Sequence, residues 1–119
     1  MEQTLHRNIL DLINDLKDNV FLDQQEQYEL NLIKIFYGNI SAEQVMQHAI
    51  QHIYPHKEYI LSKNLDFFKE NDVLFKGLDT NRVSHYTNKI YSLDQEDLEP
   101  IWDYFILIIK IVDKYNKNK

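Results

Sequence analysis

His48, His52 and His56 stand four residues apart in the stretch VMQHAIQHIYPHKEY, residues 45–59. A helix uses this spacing to present imidazoles to one metal ion. The segment HAIQH has the histidine spacing of the metalloprotease helix, but Ala49 stands where that chemistry needs a glutamate base. A zinc ion also needs further ligands in tetrahedral geometry, and only Glu58 and His85 suggest themselves. On a helical wheel for residues 41–54, Val45, Met46, Ala49, Ile50 and Ile53 share one arc. His48 falls among Gln44, Gln47 and Gln51, and His52 lies at the border. Pro55 separates His56 from the helix that would aim it. The expectation is therefore surface histidines, with no resident metal or cofactor.

Other catalytic chemistry is thinly supplied. Ser41, Ser62, Ser84 and Ser92 are available as nucleophiles, but none lies in a Gly-x-Ser-x-Gly elbow. The two glycines are not placed to form an oxyanion loop or a phosphate cradle. Asp11 and Asp15 share a face expected to be solvated. The acids Asp94, Glu96, Asp97 and Glu99 could mimic a phosphate backbone or meet a basic partner. They fit the favourable end of a helix dipole more simply. The chain is not expected to be an enzyme.

Thirteen Lys and Arg against nineteen Asp and Glu leave a formal charge of −6, which repels nucleic acid overall. The only basic excess, Lys110, Lys114, Lys117 and Lys119, suits the negative end of a last helix. Absence of cysteine excludes a disulfide framework, a thiolate metal site and a cysteine nucleophile. The first residues, rich in acids and amides, do not read as a secretory signal, and the apolar run YFILII is far too short to span a membrane. The expectation is an intracellular protein that binds neither nucleic acid nor membrane.

With 119 residues and only two glycines and two prolines, the sequence predicts one helical domain over 1–119. Leu5, Ile9, Leu12, Ile13, Leu16 and Val20 form one apolar stripe, opposite Arg7, Asp11, Asp15 and Asp18. Asp23 and Glu26 open a second helix over 24–37, with Gly38 as its left-handed stop. Its interior LNLIKIF also alternates well enough for a strand. Ser41 and Gln44 form a capping box, and Ile40 and Val45 a hydrophobic staple, at the start of the third helix. Pro55 should kink or restart it. Further helix is expected through PHKEYILSKNLDFFKEN, burying Tyr59, Ile60, Leu65 and Phe68. A long connection follows in NDVLFKGLDTNR, then a short helix in RVSHYTNKIY. The last helix begins either at Asp94, with a kink at Pro100, or at Glu99, with Pro100 as its first residue; the second start is preferred. The fold class is all-α, a bundle of about five or six helices.

The segments IYPHKEYILSKNLDFF, LFKGLD and LDQEDLEPIWDYFILIIKIVDKY, spanning about the last 65 residues, resemble small uncharacterised proteins of giant nucleocytoplasmic DNA viruses. The features that carry the likeness are Pro55, the pair Phe67 and Phe68, and Trp102 with Tyr104. The resemblance implies a viral helical protein, in the host cytoplasm or the virion, and brings no activity, catalytic residue or ligand.

In IWDYFILIIKIVDKY the apolar residues Ile101, Trp102, Tyr104, Phe105, Leu107, Ile108, Ile109, Ile111 and Val112 span about 220° of the wheel, twice what one core contact needs. Such a helix is either wrapped by the rest of the bundle, the preferred arrangement, which makes it a largely buried C-terminal helix, or leaves a face for a partner. In the second case Trp102, Tyr104 and Ile108 would be the anchors. The function expected is a non-enzymatic protein–protein interaction module, viral accessory, virion component or host-factor binder, whose partner is another protein or a second copy of itself. The alternative is a small metal-dependent or regulatory enzyme built on His48, His52 and His56.

Overall fold

The computed structural model describes residues 1–70 and 78–118, with Lys69 and Glu70 as backbone only. The core of the expected connection, 71–77, lies outside the described residues. Helices α1 (Glu2–Asn19), α2 (Gln24–Asn39), α3 (Ala42–His52), α6 (Thr80–Tyr91) and α7 (Gln95–Lys117) carry the fold. Between α3 and α6 lie a 3-10 turn (Tyr54–His56) and two five-residue helices, α4 (Lys57–Leu61) and α5 (Asp66–Glu70). Among the described residues there is no strand, so the all-α expectation holds.

Local signals explain most boundaries. Asp23 accepts the backbone N–H groups of Gln25 and Glu26, while Glu26 returns to the Asp23 N–H, closing the capping box of α2. Ser41 and Gln44 do the same for α3. The stripe of α1 is buried at Leu5, Ile9, Leu12, Ile13 and Leu16, and the buried Asn8 donates to the Tyr104 carbonyl on α7 at 3.1 Å.

Four expectations are corrected. Gly38 is helical, and α2 ends at Asn39 before the extended Ile40. The helix after Pro55 breaks at Lys63, whose φ of 54° is left-handed. There the Lys63 N–H reaches Ile60 O and the Asn64 N–H reaches Tyr59 O, a Schellman ending with lysine where glycine is usual. Asn64 then caps Asp66 N at 3.0 Å to start α5. Helix α6 begins at Thr80, two residues before the RVSHYTNKIY segment. Finally, α7 starts at Gln95 and carries Pro100 inside it. The Asp94 carboxylate accepts Asp97 N at 2.9 Å and its carbonyl accepts Leu98 N, so the cap outweighs the one ladder bond that Pro100 cannot make.

Helix α7 is the central element. It packs against α1, α3 and α4, and buries Leu98, Ile101, Trp102, Phe105, Ile108, Ile109, Ile111 and Val112. Trp102, 3% exposed, meets Phe68 at 5.0 Å between ring centroids, and Phe105 meets Phe67 at 5.1 Å. The wide apolar arc is thus mostly consumed inside the chain, with Tyr104 half-buried and Leu107 left 42% exposed. No helix among the described residues is long and apolar enough to cross a membrane.

Candidate functional site

Helix α2 is built inside out. Its buried side carries Glu26 and Glu29 with Leu30, Ile33 and Tyr37, while Tyr28 (65% exposed), Leu32 (45%), Ile35 (58%) and Phe36 (58%) face solvent. Those four positions, i, i+4, i+7 and i+8, fall within about 100° of the helix wheel, the width of a core-facing stripe. Apolar residues on two faces also produce the strand-like alternation of LNLIKIF. The outer stripe was the residue set that sequence reasoning missed. Its signal was present in YELNLIKIF, but the spacing does not say which of two apolar faces turns inward.

Helix α6 decides that. The Arg82 guanidinium donates to both Glu29 oxygens, with Nη2 2.7 Å from Oε1 and Nε 3.0 and 3.1 Å from Oε1 and Oε2. The buried Tyr86 hydroxyl adds a donor at 2.9 Å. One turn away, Glu26, only 1% exposed, accepts from Lys89 Nζ at 3.1 Å and pairs with His85 Nε2 at 2.6 Å. The four α6 positions 82, 85, 86 and 89 lie on one face at i, i+3, i+4 and i+7. Phe21 seals the cluster, its ring edge-on to Tyr86 at 4.8 Å and under the Lys89 ammonium at 5.4 Å. Two buried carboxylates would be prohibitive unpaired; paired, they fix the rotation of α2. Arg82 and Tyr86 hold the Glu29 carboxyl below its ordinary range. Burial works to raise Glu26, but donors from His85, Lys89 and the Asp23 N–H outweigh it and keep that carboxyl low as well. Burial pushes Tyr37 up to about 12.

Asp23, Glu26 and His85 also bring one ligand atom each within 4.8 Å of one another, the only such trio among the described residues. Its donor chemistry would suit a divalent cation, yet the Lys89 ammonium already stands against Glu26 and Asp23 is committed to the α2 cap. The arrangement is that of an ion-pair network.

The three histidines of the 45–59 stretch do not converge. His48 and His52 are neighbours with ring centroids 4.9 Å apart, but His56 lies against Tyr59 and Phe67 at 6.4 and 5.8 Å. His48 and His52 are half-buried, not fully on the solvent side, because Tyr37 of α2 rests against His48, its hydroxyl 3.5 Å from Nε2. Three of the serines serve backbone: Ser41 caps α3, and the Ser62 and Ser92 hydroxyls donate to carbonyls of Glu58 and Lys89. The proposed anchors on α7 are corrected too. Trp102 and Ile108 are buried and Tyr104 is half-buried, so they form no outward face.

No protein-family model, curated protein or solved structure matches this chain. Any functional reading therefore rests on its own side chains.

Proposed function

We propose that this chain is a protein–protein interaction module whose binding element is the outer face of α2. One observation carries the reading: four large apolar side chains, Tyr28, Leu32, Ile35 and Phe36, stand exposed on one helix while its carboxylates are turned inward and neutralised. Single exposed apolar residues are ordinary on a protein surface, but a contiguous stripe marks an interaction site. The ion pairs to α6 support a preorganised face, which lowers the ordering cost of association. The viral likeness of the last 65 residues would make such a module an accessory, virion or host-factor-binding protein acting inside the host cell or in the particle.

The test is a paired capture from the native cell, using the parent chain and a Phe36→Glu variant shown to fold equally well. Proteins held by the parent and lost by the variant are the expected result. Identical sets of retained proteins would remove α2 as the binding element for other proteins.

A further inference from the structure

Resting on that reading, we infer that the partner seated on α2 is a second copy of the same chain, packed antiparallel about a two-fold axis at Leu32. The first support is charge. Every exposed position of α2, from Gln24 to Asn39, is uncharged, because Glu26 and Glu29 are buried and Lys34 is half-buried. In a chain of net charge −6, two copies meeting through acidic surface would repel, and an uncharged face avoids that cost. Such a face also offers a basic or acidic partner nothing to select.

The second support is self-complementarity, which an isologous interface requires. Tyr28 and Phe36 stand four residues on either side of Leu32. A two-fold axis there sets Tyr28 of one copy against Phe36 of the other, Leu32 on Leu32, and Gln25 against Asn39 at the ends. Aromatic meets aromatic, leucine meets leucine and amide meets amide, while Ile35, whose symmetry mate is the buried Glu29, flanks the axis beside Leu32 and Phe36.

The third support is area. The four side chains, each close to half exposed or more, offer on the order of 400–500 Å² per copy, so pairing two stripes removes roughly 1,000 Å² in all. That reaches the lower limit for a specific interface and exceeds a typical lattice contact. The dimer is accordingly weak and reversible, in the micromolar range.

Sedimentation equilibrium on the full chain over micromolar to near-millimolar concentrations gives the readout. The parent should show concentration-dependent dimerisation. Leu32→Glu, which places two carboxylates at the axis, should raise the dissociation constant by about tenfold or more with an unchanged helical spectrum. Since the chain has no cysteine, Leu32→Cys adds a second test that does not depend on tolerance of a charge. Mild oxidation should join Leu32→Cys copies far faster than copies of Leu61→Cys, an exposed control on α4. A parent that stays monomeric throughout, or equal cross-linking at the two positions, overturns the second-copy assignment. The paired capture is scored on other proteins, so it can still succeed after this inference fails, or fail while it holds.

Discussion

Arg82 grips Glu29 through Nε and Nη2 across the juncture of α6 and α2, and the Tyr86 hydroxyl completes the carboxylate's coordination. The two helices meet through these long side chains. Glu29→Gln keeps the shape but removes the charge from a pair whose side chains are only 10% and 24% exposed. It should cost about 2 kcal/mol in urea unfolding. A double-mutant cycle with Arg82→Gln should give a coupling of about 1–2 kcal/mol. Additive single effects would show that the contact is geometrically present but energetically idle.

Acid should unfold this protein through the same juncture. The folded chain holds Glu26 and Glu29 below their ordinary value of 4.5, so it binds those protons only at a lower pH than the unfolded chain does. Their contribution is therefore fully present above that value and disappears as pH falls through the folded-state values. The melting temperature should fall progressively as pH drops below about 4.5, with a shallower slope in a Glu26→Gln, Glu29→Gln double variant. Equal slopes in the parent and the variant would place the acid sensitivity elsewhere.

Trp102 and Phe105 are the α7 aromatics that meet the 57–70 segment, Trp102 through Phe68 at 5.0 Å. Trp102→Ala should cost about 3–5 kcal/mol and leave little folded protein on expression, because the collapsed site cannot refill so large a volume. A stable variant whose sole defect is weaker self-association would contradict the central placement of α7.

Gly38 offers a gain. It lies in the exposed last turn of α2 without a left-handed φ, and an added Cβ meets nothing within 4 Å. Gly38→Ala should raise stability by about 0.5 kcal/mol, by restricting the unfolded chain and favouring helix. Thermal melts would read it as a higher midpoint; a lower midpoint would indicate that the helix end depends on glycine after all.

The elements that rest on short-range signals were legible in the sequence. Asp23 with Glu26 and Ser41 with Gln44 marked helix starts through bonds spanning three residues, and the stripe of Leu5 to Leu16 marked an inward face, because these depend on spacing alone. The sequence also bounded the chemistry by lacking cysteine and glycine-rich loops. What only the tertiary structure decided was which way an ambivalent helix turns. Helices α2 and α7 each carry more apolar surface than one core contact needs; the width of the α7 arc made its wrapped placement legible, but nothing along α2 showed which of its apolar faces would be left outside. The fold settled both. It wrapped α7 with α1, α3 and α4 and buried Trp102, while Arg82, His85, Tyr86 and Lys89 drew Glu26 and Glu29 inward and left Leu32 and Phe36 outside. That outcome rests on pairs more than fifty residues apart, such as Glu29 with Arg82. Helical periodicity along one segment carries no information about the charges that another segment will bring to it.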